Sequence, residues 1–415
     1  MDLSEHLFRH ESGRMVATLT RIFGVHNLAL AEDVVQEAFC RALEIWKFQG
    51  VPDNPSAWLM TTARNRALDV LRRERTARTF APELTRQLES EWTLAPTVEE
   101  QFGPASVRDD ELRMMFSCCS PRLGEEAQVA LILHLLCGFS VDEIAHAFVS
   151  SHAAIEKRIT RSKKVLAASK KLFDVSGPAD FARRLPSVQR ALYLLFNEGY
   201  HGASPETAIR SDLCHESMRL IAILIENPLA ATPSTCALAA LMCFNAARLP
   251  ARLDLSGSLI ALADQNRSQF DRALAAEGQR LLGRAATGPE ISDFHVEAAI
   301  AWVHTSAQST DDTDWTTIVS LYDQLMAIRP SPIVALNRAI AIGQREGPQR
   351  GLDEIHSIED AQRLARYPFY HAALGELELR SRNHQTARLY FTAAVKLARN
   401  PMERNFFEQR IAACQ

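Results

Sequence analysis

Four stretches of this 415-residue chain carry side chains that could do chemistry. Between residues 58 and 78, Arg64, Arg66, Arg72, Arg73, Arg75 and Arg78 interleave with Thr61, Asn65 and Asp69 after Trp58. Guanidinium groups neutralise phosphates and release their counterions, while an aromatic ring offers an unpaired base something to stack on. A second basic cluster comprises Lys157, Arg158, Arg161, Lys163, Lys164, Lys170 and Lys171. The third stretch, ALYLLFNEGYHGA at residues 191–203, sets Asn197, Glu198, Tyr200 and His201 beside an apolar run, with Glu and His as a candidate acid–base pair. The fourth is Cys118 and Cys119 followed by His134 and Cys137, which are zinc-ligand types. Neither of the last two is completed by a nucleophile motif, a phosphate loop or a CxxC pair, and neighbouring cysteines chelate one ion poorly. The sequence therefore predicts buried thiols, no metal, no cofactor and no catalytic residue.

The elements that must position the basic residues follow from periodicity. Val34, Val35, Ala38, Phe39, Ala42, Leu43 and Trp46 form an apolar stripe at helical spacing. Glu32, Asp33, Gln36, Glu37 and Arg41 fall off it and make an exposed acidic edge. After a Pro-containing loop, Trp58, Leu59, Ala63, Ala67, Val70 and Leu71 form a second stripe, so two successive helices carry opposite charge. Further on, Ser140 and Glu143 spell a capping box that starts a helix at Val141, with Ile144, Ala145 and Phe148 facing inward. Residues 149–152 then make a turn. A helix over residues 153–164 buries Ile155, Ile159 and Ser162 and turns Ala154, Glu156, Lys157, Arg158, Thr160 and Arg161 outward, the layout of a helix-turn-helix. The turn lacks the usual Gly and runs a residue long.

The segments DVVQEAF and NPSAWLMTTARNRALDVLRRE, with this helix pair, resemble bacterial RNA polymerase sigma factors of the sigma-70 family, extracytoplasmic-function type. The resemblance covers roughly the first 170 residues. It implies that Asp33, Gln36, Glu37 and Phe39 dock on polymerase core. It also implies that Trp58, Thr61, Arg64, Asn65, Arg66, Asp69, Arg72 and Arg73 melt the minus-ten promoter element, with Asp53 and Asn54 on a loop that captures a flipped base. The second helix pair would read the minus-thirty-five element through Ala154, Glu156, Lys157, Arg158, Arg161 and Lys164, Glu156 being able to accept from a cytosine amino group. Unstacking a base costs a few kcal/mol, which phosphate neutralisation and a stacking surface help to offset.

Composition fits this layout. The net charge of -4 excludes a protein wrapped uniformly on nucleic acid and confines DNA contacts to local basic patches. The N-terminal residues show no signal or transit pattern, and the apolar runs near residues 220–225 and 236–244 are too short for a membrane span, so a bacterial cytoplasmic location without membrane partners is expected. Eight cysteines without framework spacing suit a reducing compartment. Residues 79–108 lose periodicity, hold Pro82, Pro96 and Pro104 and are rich in acids, the marks of a linker. From residue 178 the chain is rich in Ala and Leu, and Pro186, Pro205, Pro228, Pro233, Pro250, Pro289, Pro330, Pro332 and Pro401 read as breaks between short helices. Leu374, Gly375, Ala387, Phe391, Ala394 and Pro401 fall on tetratricopeptide spacing, and Tyr322, Leu325 and Pro330 fit part of another repeat.

The expected architecture is all-α: a sigma domain two at residues 1–78, a linker at 79–108, a sigma domain four at 109–172 and a helical, tetratricopeptide-like region at 178–415 that modulates activity. Expected partners are RNA polymerase core, promoter DNA and a regulatory protein held by the C-terminal region. The polar cluster around Glu198 is expected to link that region to domain four or to polymerase. The alternative is a helix-turn-helix DNA-binding regulator with a repeat-type sensor or scaffold domain that is not a sigma subunit.

Overall fold

A computed structural model describes residues 3–77, 110–148, 150–168, 178–201, 209–254 and 257–414. The fold is all-helical, and among the described residues extended pairing is limited to an isolated bridge between Leu253 and Leu259. The linker at 79–108 lies outside the described residues, as do Arg78, Lys170 and Lys171.

Two compact units divide the chain, one formed by residues 1–195 with 219–231 and the other by residues 196–218 with 232–415. The first begins with α1 (Leu3–Phe23), α2 (Leu28–Gln49) and α3 (Pro55–Ala77). Gly24 and Gly50 stop the first two helices in positive-φ conformations, 86° and 79°, which only glycine adopts without strain. Asn54 starts α3 by accepting from the Ala57 backbone N–H at 3.0 Å. The stripe of α2 buries Val34, Val35, Ala38, Phe39 and Ala42, while α1 adds Met15, Leu19 and Phe23 to the core and α3 adds Leu59, Ala63 and Ala67. Leu43, assigned to that stripe from its spacing, is 58% exposed, because the apolar face of α2 runs out one turn earlier.

Four further helices belong to the same unit: α4 (Asp110–Cys118), α5 (Glu125–Leu135), α6 (Val141–Ala147) and α7 (His152–Ala167). The capping box is present, with Ser140 N donating to Glu143 Oε2 at 2.8 Å and Glu143 N donating to Ser140 Oγ at 3.2 Å, and α6 starts at Val141 as its residues require. Ser151 caps α7 by accepting from Ala154 N at 3.3 Å. The inner face of α7 holds Ile155, Ile159, Ser162 and Leu166. These helices pack directly on the first three. Helix α1 lies against α4, and Gly13 approaches the end of α5 so closely that a Cβ there would stand 1.9 Å from the Leu136 carbonyl oxygen. The leading part of α8 (Pro178–His201) also belongs here: Phe181 stacks on Phe116 with centroids 4.2 Å apart, and Arg184 Nη1 donates to the Phe116 carbonyl at 3.0 Å.

The second unit is a succession of packed helices: the start of α9 (Ser211–Glu226), then α10 (Pro233–Ala247), α11 (Arg272–Ala285), α12 (Asp293–Ser306), α13 (Trp315–Ile328), α14 (Pro332–Glu346), α15 (Pro348–His356), α16 (Pro368–Arg380), α17 (His384–Leu397) and α18 (Pro401–Ala412). Helix α10 is buried on nearly every face, as its uniform run of Ala, Leu, Met, Cys and Phe requires. Pro233, Pro332 and Pro401 begin helices instead of breaking them, since a first-turn proline forfeits no hydrogen bond; Thr232, Ser331 and Asn400 cap those same helices. Pro186 is accommodated inside α8. Near the C-terminus, Gly375 of α16 faces Phe391 of α17, where Ala387 and Ala394 are buried, so the small residues picked out by their spacing do let two helices pack closely.

Replacing Gly13 with Ala should destabilise the first unit by about 1–3 kcal/mol, the overpacking cost outweighing a gain of about 1 kcal/mol in helix propensity. Thermal unfolding checks this, and an unchanged or raised midpoint would contradict the close approach to Leu136.

Candidate nucleic-acid interface

On α2 the acidic edge is built from Asp33, Gln36 and Glu37, all exposed. Phe39 does not share that edge. It is 8% exposed and packed into the core, because it lies on the apolar stripe one helical turn from Val35 and Ala42. In the free chain Phe39 packs the core of these three helices. Beyond the stripe, Phe48 and Val51 join Leu43 as exposed apolar side chains at the end of α2 and in the loop that follows. Periodicity placed Leu43 on the stripe and missed Phe48 and Val51, whose signal was an apolar residue two before and one after Gly50, outside any helical stripe.

On α3, Thr61, Asn65, Asp69 and Arg72 recur every three or four residues and are exposed, so they line one face, with Arg64 and Arg73 flanking it. Asp53 and Asn54 are exposed in the loop, where Asn54 is also the helix cap. Trp58 is half-buried and meets Trp46 edge to face, with centroids 5.4 Å apart. Arg72 lies 3.9 Å from Asp69. Arg66 turns back to α2, its Nε donating to Glu37 Oε2 at 2.7 Å. The acidic and basic helices are thus bonded to each other through one residue of each expected set.

On α7, Ala154, Glu156, Lys157, Arg161 and Lys164 are exposed. Arg158 is not presented with them. Its guanidinium reaches Glu126 of α5 at 3.1 Å and lies 6.0 Å from the Phe148 ring, so it fastens the helix to its neighbours in the free chain. Lys163 is likewise occupied: its Nζ donates to Glu32 Oε1 of α2 at 2.6 Å, with the two side chains 28% and 19% exposed. Glu32 therefore leaves the acidic edge, and the face available on α7 narrows to Glu156, Lys157, Thr160, Arg161 and Lys164. At the α6–α7 junction His152 Nδ1 lies 2.6 Å from Asp142 Oδ1, a hydrogen bond that raises the imidazole above its ordinary value.

The thiols of Cys118, Cys119 and Cys137 are buried. Desolvation raises Cys118 well above the usual thiol value and Cys119 to about 12, so neither is a thiolate near neutral pH. His134 is lowered by burial and then by Lys163, and its Nδ1 lies 3.1 Å from the Phe139 carbonyl. Glu198 is bonded to Arg210 Nη2 at 2.6 Å, both side chains under a tenth exposed.

Comparison with known proteins bears on both halves. Residues 7–77, the span of α1 to α3, match sigma-70 region 2. Residues 184–286 match a family of unknown function (DUF6596). An uncharacterized protein of Rhizobium meliloti (strain 1021) is 36% identical over 398 residues, which span 95% of this chain and 92% of that protein. The chain belongs to the family of this rhizobial protein. Its N-terminal helices form a sigma-70 region 2 domain, and no solved structure matches the chain. No helix among the described residues is long and apolar enough to cross a membrane.

His152 supplies a pH test. Because the folded chain favours the imidazolium, the contact contributes stability below the unfolded value of 6.5 and loses it as pH rises through the raised folded value. Histidine NMR titration should place His152 above 6.5 in the native chain and return it toward 6.5 in Asp142→Asn; the same midpoint in both would show the bond does not form.

Proposed function

We propose that this protein is a sigma factor that binds RNA polymerase core and directs promoter-specific initiation, and that its helical C-terminal region modulates that activity. The observation that carries the reading is the sigma-70 region 2 match lying on a domain whose exposed surface is an acidic edge, Asp33, Gln36 and Glu37, next to a basic polar face, Thr61, Arg64, Asn65, Asp69, Arg72 and Arg73. The acidic edge has the charge to meet a basic surface of the polymerase core. The α3 face, with half-buried Trp58 and the loop holding Asp53 and Asn54, suits the minus-ten element: arginines hold the phosphates while a ring and loop receive an unstacked base. Helix α7, with Lys157, Arg161 and Lys164 for phosphates and Glu156 for a cytosine edge, is assigned to the minus-thirty-five element. Chemistry is left to the polymerase. The stacked helices of the second unit are assigned a tetratricopeptide-like role of holding a regulatory protein.

This reading requires the first unit to open. The two elements are centred about 25 base pairs apart by their names, about 85 Å of duplex at about 3.4 Å per pair. Helix α3, packed on α2, and helix α7, held to α2 by the 2.6 Å contact of Glu32 with Lys163, cannot reach both at once. Polymerase core offers a source of the energy, because binding that favours the separated arrangement shifts the population toward it.

Run-off transcription from a cognate promoter with purified core tests the assignment. The whole chain should give specific transcripts, and Asp33→Lys with Glu37→Lys should cut core binding at least tenfold while helical content is unchanged. Neutralising Arg64 and Arg73 should leave core binding intact and weaken open-complex formation with a shallower salt dependence. Duplex binding without core binding or transcripts would instead identify a DNA-binding regulator.

A further inference from the structure

The motif NEGYH at the end of α8, which the transcription role leaves unused, closes onto two arginines of the second unit. Arg252 is 8% exposed; its Nη1 donates to the Tyr200 carbonyl, its Cζ lies 3.9 Å from the Tyr200 ring centroid, and its Nη2 is 3.5 Å from His201 Nδ1. Arg248 stands four residues earlier, across the single 3-10 turn Leu249–Ala251, and its charge acts on both Arg252 and His201. Arg248 donates from Nε and Nη2 to one neutral acceptor, Gln265 Oε1, at 3.4 and 3.3 Å.

Several arginines of the unit have a carboxylate partner, whereas Arg248, Arg252 and Arg267 meet neutral acceptors. Arg210 is matched by Glu198, Arg329 by Asp293 and Glu297, Arg338 by Asp323 and Glu354, and Arg399 by Glu403. Among the described residues no carboxylate comes within ion-pair distance of Arg248 or Arg252, although Arg252 is buried and the two repel each other. A buried cation without a counterion is costly, and supplying an anion removes that cost. His201 stands at the same spot, and the charges of Arg252, Arg248 and Arg399 add to desolvation in holding its imidazole well below the usual value. Capping α8 at the Tyr200 carbonyl engages Arg252 Nη1 but leaves the rest of both guanidinium forks without a charge partner.

We propose that Arg248, Arg252 and His201 form an oxyanion-binding site that takes the phosphate or carboxylate group of a small molecule. Two planar guanidinium forks near one imidazole suit bidentate capture of such a group, and the imidazole adds a charged donor once an anion raises its proton affinity. All three residues lie within the stretch matching the family of unknown function. The site does not depend on the sigma reading.

Calorimetric titration of the full chain with inorganic phosphate and, separately, with malonate, at ionic strength fixed with sodium chloride, tests the site. Saturable binding of either anion, raising the His201 midpoint measured by NMR and the unfolding temperature, supports it. Tighter phosphate binding indicates a phosphate ester as the natural group, and tighter malonate binding a carboxylate. Arg252→Gln also removes the α8 cap and is a poor probe, so the diagnostic variant is half-buried Arg248→Gln, checked for folding by circular dichroism. It should weaken binding at least tenfold. Absence of saturable binding by both anions, or equal binding by the folded variant with an unmoved His201 midpoint, would overturn the proposal.

Discussion

The ion pair between Glu32 and Lys163, reinforced where Gly13 meets the Leu136 carbonyl, decides what the first unit can present. An acid from the helix proposed to meet polymerase and a base from the helix proposed to meet DNA neutralise each other, each partly shielded from water. Removing one partner would leave the other charge half-buried, so the contact is worth more than a surface pair, yet it is a single pair that a stronger competitor can break. What remains exposed follows directly: Asp33, Gln36 and Glu37 on one helix, and Lys157, Arg161 and Lys164 on the other. The bond between Arg66 and Glu37 repeats the theme inside the region 2 domain, coupling the edge proposed for core to the face proposed for DNA. Disturbing one surface therefore frees a charge on the other.

The second unit is held differently. Its helices start at side-chain caps, often with a proline just inside, and arginine–carboxylate pairs such as Arg329 with Asp293 and Glu297, and Arg338 with Asp323 and Glu354, tie neighbouring helices together. Buried small residues set the spacing, as where Gly278 admits the Phe244 ring of the central helix α10. Arg248 and Arg252, like Arg267, meet only neutral acceptors, and of the three Arg252 is the one the protein buries most deeply.

Much of this was legible in the sequence because it rests on local rules. The capping box placed the start of α6 at Val141, apolar spacing placed Ile155, Ile159 and Ser162 inside α7, and the small residues around Gly375 and Phe391 marked a close helix pair. The misreadings share a cause in long-range partners or in the limits of a stripe. Nothing near Arg158 or Lys163 announces Glu126 or Glu32, so both cations were counted toward DNA. Phe39 and Leu43 lie four residues apart on one nominal stripe, yet one is buried and the other bare, since periodicity gives direction but not where the neighbouring helix ends. Pro233, Pro332 and Pro401, read as breaks, start helices, because a proline stops one helix and opens the next with equal ease.

The central claim, that the two modules of the first unit hold each other closed and separate on polymerase core, is tested most directly by distance. Energy transfer between dyes at Arg21→Cys on α1 and Thr160→Cys on α7, in a chain with the exposed Cys40 replaced by Ser, should be high in the free chain and fall when core is added. Low transfer in the free chain, or high transfer that persists in a transcribing complex, would contradict it.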